Sequence, residues 1–195
     1  MPLRRSVKSR KASSKPAARI QQGLMAVTTP QPSFAAVSGK NQPCAAIGGD
    51  FFSVVAIEDG LVVAIADVSG KGIAAAVMAS LLQGMIHEAV LSGVPLPEIA
   101  RIADEFFCVR DLSAKYATFV IACVRSTGEL EYVNCGHVPP LIASAVGPVT
   151  RLRESNVPVG LLPAIGYKSA TFQLTPRGSY HLDDRWGHRG GGPGR

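Results

Sequence analysis

The sequence lacks a run of about 20 uncharged apolar residues, which is the length that a membrane-spanning helix needs. Its most apolar stretch, residues 61–82, is interrupted by Asp67 and Lys71. The apolar block of a signal peptide is also missing after the basic N-terminus, where Gln21 and Gln22 interrupt the chain. We therefore predict a cytoplasmic chain without a membrane span or a signal peptide.

Closely spaced cysteine pairs are absent as well. The four cysteines form no CxxC motif and lie in apolar surroundings, as buried free thiols do. This pattern is typical of a reducing, cytosolic compartment. The cysteines are Cys44, Cys108, Cys123 and Cys135.

Acidic residues are missing from residues 1–19, which contain seven Lys or Arg. Residues 20–176 contain 9 basic and 12 acidic residues, so the net charge of +6 arises in the tail rather than on a folded face. We predict a disordered tail over 1–19, which either aids solubility or contacts acidic partners, and no nucleic-acid partner for the body. A lead-in segment would follow over 20–42.

The remaining composition, with 47% hydrophobic and 17% charged residues, suits one folded domain with a sizeable core. Residues 51–57 and 61–68 have the composition of strands, and Glu58-Asp59-Gly60 between them predicts a hairpin. The second strand is apolar on both faces, which predicts a central strand covered on each side.

Two amphipathic helices are predicted next, over 72–90 and from Leu96 onward. The expected buried face of the first helix contains Val77, Leu81, Leu82, Met85 and Ile86. Strands return over 116–124 and 130–134, with shorter β candidates at 141–144, 149–152 and 167–174. Strands on either side of a helical pair predict a layered α+β fold.

Two aspartates adjoin glycines at the ends of the first two strands. Counting symmetrically about Asp59 places Asp50 opposite position 68, beside Asp67. Like charges this close are unfavourable unless a cation neutralises them, and carboxylate oxygens suit Mg²⁺ or Mn²⁺. A single Asp beside Gly is more often a turn residue or helix cap, so the metal-site hypothesis depends on the pairing of the two.

A phosphate-binding loop is excluded at Ser69-Gly70-Lys71. Such a loop requires a glycine five residues before Gly70, where this sequence has Ile65. It also requires Ser or Thr after Lys71, where this sequence has Gly72.

Five blocks in order resemble the bacterial SpoIIE/RsbU-type PPM (PP2C-like) serine/threonine phosphatases. The resemblance covers about residues 20–174. The blocks are Ile47-Gly48-Gly49-Asp50-Phe51-Phe52, Ala66-Asp67-Val68-Ser69-Gly70-Lys71-Gly72, Tyr116-Ala117-Thr118-Phe119, Tyr132-Val133-Asn134-Cys135-Gly136-His137-Val138-Pro139-Pro140-Leu141 and Val159-Gly160-Leu161.

The resemblance implies an α-β-β-α layered sandwich and a two-metal Mn²⁺ or Mg²⁺ phosphatase in which a metal-bridging water attacks phosphorus. It implies that Asp67 bridges the metals, that the Val68 backbone carbonyl binds one of them, and that Asp50 supports the cluster. The implied substrates are phosphorylated regulatory proteins, such as anti-sigma-factor antagonists in stress or sporulation signalling. A regulatory protein acting in trans and a homodimer are further expectations.

Four more residues belong to the motifs that carry the resemblance. Gly49, Ser69 and Gly70 are expected to support the site as loop residues. Ser69 stands where eukaryotic-type relatives have a candidate general acid. His137 is expected to be a structural loop residue rather than a ligand.

The resemblance fails after Leu174. Relatives continue into an apolar strand, a Thr-Asp-Gly metal motif and a final Asp ligand, whereas 175–195 is glycine-rich and has no predicted strand to bring Asp183 or Asp184 to the site. We expect a partial phosphatase domain over 43–174, incomplete at its C-terminal end, and a frameshift near Pro176 is one hypothesis for the change. The alternative function is a catalytically impaired fragment or pseudophosphatase that binds other proteins.

Overall fold

The computed structural model describes residues 28–41, 47–108, 116–144, 147–163, 166–175 and 177–183, together with 16, 19–21 and 23. Eight strands and two long helices follow one another in this part of the chain. They are β1 (Asp50–Ile57), β2 (Gly60–Val68), α1 (Ile73–Leu91), α2 (Leu96–Cys108), β3 (Ala117–Arg125), β4 (Glu129–Cys135), β5 (Leu141–Ala143), β6 (Thr150–Arg151), β7 (Ala170–Gln173) and β8 (Ser179–His181).

The strands form two antiparallel sheets. The first has the order β1-β2-β3-β4-β7, and the second has the order β6-β5-β8. One apolar core lies between the first sheet and the two helices, and a smaller one, centred on Tyr132 and Ile142, lies between the sheets. The described residues thus form three successive layers of the predicted α-β-β-α sandwich.

Strand β2 occupies the predicted central position between β1 and β3. The predicted cover is complete on the helix side of β2 and partial on its other face, where Val63 packs against the smaller core. Ala64 and Ala66 are buried under the helices, but Val63 and Ile65, on the opposite face, are only partly buried. A cavity of about 970 Å³ lies between the first sheet, residues 34–40 and residues 173–175, 177–180 and 182, and it explains this exposure.

Helix α1 has its predicted position but a different buried face. Leu82 and Ile86 are buried as predicted, whereas Val77 is 52% and Leu81 51% exposed. The small residues Ala75 and Ala79 occupy the contact with the sheet instead, because they let the helix approach the strands closely. The helix is apolar on nearly all sides, so hydrophobicity alone did not identify the buried side.

Length and composition alone would let α1 cross a membrane, and it is the one such helix in the described ranges. The helix packs on β1 and β2, and most of its buried residues, from Met78 to Val90, belong to the main core. Core helices of globular domains meet the same criterion, so the resemblance to a membrane span is weak evidence.

The region after Leu174 contains a strand that the sequence analysis did not predict. Strand β8 pairs with β5 through Leu141 and His181, Ile142 and Tyr180, and Ala143 and Ser179. Tyr180 packs against the smaller core. The expectation that no strand follows Leu174 was therefore wrong, because alternation of exposed and partly buried residues over three positions is too short a pattern to detect.

Neighbouring leucines on α1 provide a direct stability test. Leu82→Ala should lower the free energy of unfolding by about 2–5 kcal/mol, because it leaves a cavity in the core. Leu81→Ala should change it by less than about 0.5 kcal/mol, because half of that side chain is already in water. Urea unfolding of both variants measures the difference, and equal losses would contradict the position of α1 described above.

Candidate metal and phosphate site

Asp50 and Asp67 are direct cross-strand neighbours. The β1–β2 register pairs Asp50 with Asp67 and Ile57 with Gly60. The predicted register was one residue off, because the turn contains two residues, Glu58 and Asp59, and Gly60 already belongs to β2. The correction strengthens the hypothesis, since directly paired residues have β-carbons only about 4.5–5.5 Å apart.

Both aspartates lie on the face of the first sheet that is turned away from the helices. Side chains alternate between the two faces of a strand, and Phe51 and Ala66, next to the aspartates, are buried in the helix-side core. Asp50 is partly buried and Asp67 is exposed. A charged ligand can therefore reach the pair from solvent without entering the apolar core.

Gly49 makes room for a third oxygen. The Val68 amide donates to the Gly49 carbonyl at 3.3 Å, and a β-carbon at Gly49 would lie 2.6 Å from the Val68 carbonyl oxygen. Every other residue type would fill the space beside this oxygen. The glycine therefore lets the chain before β1 pack against this carbonyl, which follows Asp67 directly in the sequence.

Ser69 fastens the loop that follows Asp67. Its hydroxyl accepts a hydrogen bond from the Tyr116 amide at 3.0 Å, and its own amide donates to the Tyr116 carbonyl at 2.9 Å. Gly70 and Gly72 have φ values of 102° and 74°, which glycine adopts without strain. The loop is thus held against the start of β3, and Ser69 acts as an anchor there.

His137 lies at the same end of the sheet. Asp67 pairs with Thr118 on β3, and the Thr118 hydroxyl lies 2.9 Å from His137 Nδ1. The His137 amide donates to Asn134 Oδ1 at 2.8 Å, and Asn134 Nδ2 donates to the His137 carbonyl at 3.2 Å. The Asn134 side chain thus closes the loop that carries His137.

The ring of His137 is also close to carboxylates. Burial lowers the pKa of His137, while the Asp183 backbone and the charges of Asp50 and Asp183 act in the opposite direction. His137 is 6% exposed, and its Nε2 makes no hydrogen bond within the described ranges. The structure therefore brings Asp183 to the neighbourhood of His137, whereas Asp184 lies outside the described residues.

The donor set has the chemistry of a Mg²⁺ or Mn²⁺ site, with two carboxylates and one carbonyl, all of them hard oxygen ligands. Over the described ranges, no group of three or more His, Cys, Asp or Glu side chains is arranged to hold a metal ion. The residues thus fit part of a coordination shell, with water and phosphate oxygens as natural ligands for the remaining positions.

The sequence analysis missed one polar residue that supports this end of the fold. Asp104, on α2, is 1% exposed and accepts hydrogen bonds from the Gly160 amide at 2.8 Å and the Tyr167 hydroxyl at 3.1 Å. Val159 in turn exchanges two backbone hydrogen bonds with Ala117. The sequence did contain a signal for this role, because Asp104 is an acidic residue among the apolar positions of an amphipathic helix.

Comparison with known proteins identifies relatives. The model of the family described as Stage II sporulation protein E (SpoIIE) matches residues 57–179. Protein IcfG of Synechocystis sp. is 23% identical in an alignment of 190 positions that covers 81% of this chain and 30% of IcfG. The chain thus spans less than a third of that relative.

Three solved structures resemble the fold. The RsbU and RsbW domains of Rv1364c from Mycobacterium tuberculosis match with TM-score 0.61 and 28% identity over 69% of this chain and 38% of that one. The SiaA-PP2C domain of Pseudomonas aeruginosa matches with TM-score 0.71 and 19% identity over 90% of this chain and 72% of that one. RsbX in complex with magnesium matches with TM-score 0.53 and 16% identity over 72% of this chain and 68% of that one.

Burial of His137 predicts a pH effect on stability. A lowered pKa in the folded state means that the unfolded chain takes up the proton first as the pH falls through the ordinary histidine value of about 6.5. Stability is therefore retained above this pH and decreases below it, until the folded protein is protonated too. Urea unfolding at pH 7.5 and pH 5.5 should show a smaller loss for His137→Gln than for the unmodified chain. Equal losses would contradict the burial of a neutral imidazole.

Proposed function

Since the chain belongs to the SpoIIE family of PP2C-like phosphatases, we propose that it hydrolyses phosphoserine or phosphothreonine in a regulatory protein, using Mn²⁺ or Mg²⁺. The observation that supports this most is the direct cross-strand pairing of Asp50 and Asp67. Two carboxylates in one pair repel each other, and a bound divalent cation would turn that repulsion into attraction.

The proposed roles follow from position. Asp67, the more exposed of the two aspartates, would be the principal metal ligand, with Asp50 and the Val68 carbonyl completing the protein's share of the oxygens. When bound, the metal ions would supply an activated water as nucleophile and neutralise charge on the phosphate. Gly49, Ser69, Gly70 and His137 would hold the surrounding loops in place rather than react.

The proposed substrate is a phosphorylated partner such as an anti-sigma-factor antagonist, and the proposed location is the cytoplasm. The solved relative from Mycobacterium tuberculosis, in which an RsbU domain accompanies an RsbW domain, supports a role in regulation through other proteins. The magnesium complex of RsbX supports a divalent cation without deciding between Mg²⁺ and Mn²⁺. Control by a second protein in trans and homodimer formation remain part of the proposal.

A second candidate is a catalytically impaired protein-binding module. The outer side of α1 favours it, because Ile73, Val77 and Leu81 are each more than 50% exposed and form an apolar stripe at helical spacing. The two candidates differ in whether the aspartate pair is needed for turnover.

A phosphatase assay separates them. Hydrolysis of a phosphoserine peptide with Mn²⁺ should fall by more than about 100-fold in Asp67→Ala, since even residues that only orient a metal ligand are worth 10–100-fold. The matched control is Asp59→Ala, at the opposite end of the same hairpin, where the carboxylate contacts the Ser126 hydroxyl. Activity that is equal in the unmodified chain and in Asp67→Ala would refute the enzymatic role and leave the binding module.

A further inference from the structure

Gln21 lies outside the sheets and helices described above, yet its side chain is buried against the segments that bear the aspartates. The residue is helical and 8% exposed. Its Nε2 donates to the Gly48 carbonyl at 2.7 Å and to the Ala76 carbonyl at 3.3 Å, and its Oε1 accepts from the Gly48 amide at 3.2 Å. One amide group thus binds both backbone groups of Gly48 and a carbonyl of α1.

The partners of Gln21 lie close in sequence to both aspartates of the candidate metal site. Gly48 and Gly49 lead directly into Asp50, and Ala76 lies in the first turns of α1, after the loop that leaves Asp67. Ile47 packs on Ala76, and a β-carbon at Gly49 would contact that of Ala75 at 3.4 Å. The chain before β1 is therefore held against α1 where Gln21 connects them.

Substitution of Gln21 would remove the side-chain partners of the partly buried Gly48 backbone. The Gly48 amide and carbonyl would lose their side-chain hydrogen bonds, and a polar group that is shielded from water and has no partner is unfavourable. The backbone can reduce this cost by moving Gly48 toward water. Such a movement displaces Gly49, whose carbonyl binds the Val68 amide, and with it Asp50.

We propose that Gln21 is a positioning residue for the cation site: its amide fixes Gly48 against α1 and thereby sets the separation between Asp50 and the Asp67-Val68 segment. The proposal rests on the proposed metal-dependent function. Gln21 contacts neither cation nor substrate and acts through the Gly48-Gly49 backbone. Residues that orient metal ligands from outside the coordination shell typically contribute 10–100-fold to metal affinity.

The test is the affinity of the full chain for Mn²⁺ alone, measured by isothermal titration calorimetry. Gln21→Met keeps the length of the side chain and removes its hydrogen bonds, so affinity should fall by about 10–100-fold. Ile20→Met, in the same helical segment but at a side chain that is 65% exposed, should keep it within about 2-fold. Leu82→Val, a core change far from the aspartates, should lower the unfolding midpoint without changing affinity, which separates positioning from stability.

A second variant covers the case in which Gln21→Met does not fold. Gln21→Glu retains an acceptor for the Gly48 amide but places an oxygen against the carbonyls of Gly48 and Ala76, so it should also lose affinity. If Asp67→Ala weakens Mn²⁺ binding while the folded Gln21 variants bind like the unmodified chain, the positioning role is refuted. If Asp67→Ala binds like the unmodified chain, the proposed function fails, and the role of Gln21 fails with it.

Discussion

The pairing of Asp50 with Asp67 is the interaction on which the site depends. Like charges directly opposite each other destabilise a pair of strands, and these two are placed at the open end of the β1–β2 hairpin, where solvent and a cation can reach them. The apolar pattern of the same strands fixes the register, because a slip by one residue would turn Phe51 and Ala66 out of the core. The burial of the helix-side core thus maintains an electrostatically unfavourable pair.

The loops around this pair are held by hydrogen bonds that involve backbone groups. Ser69 binds Tyr116 at the start of β3, and Asn134 closes the loop that carries His137. Asp104 ties α2 to Gly160, next to the strand-like contact of Val159 with Ala117. Each loop that brings a residue to this end of the sheets is therefore connected to a buried strand or helix, which limits its movement.

Sequence reasoning predicted the strands and helices of the first two layers, because their apolar patterns are long and regular. It could not predict the register of the hairpin, since a two-residue and a three-residue turn are both compatible with Glu58-Asp59-Gly60. It also misassigned Val77 and Leu81, because a helix that is apolar on all sides carries no periodic signal. The partners of Gln21 and Asp104 are distant in sequence, so only the folded chain shows their contacts.

Anomalous diffraction from crystals grown with Mn²⁺ would locate a cation bound at the aspartate pair. A peak is expected within coordination distance of the Asp67 carboxylate, beside Asp50 and the Val68 carbonyl oxygen, because the two carboxylates of one cross-strand pair lie next to this carbonyl. The absence of a peak between Asp50 and Asp67 at saturating Mn²⁺, or peaks at other carboxylates alone, would contradict it.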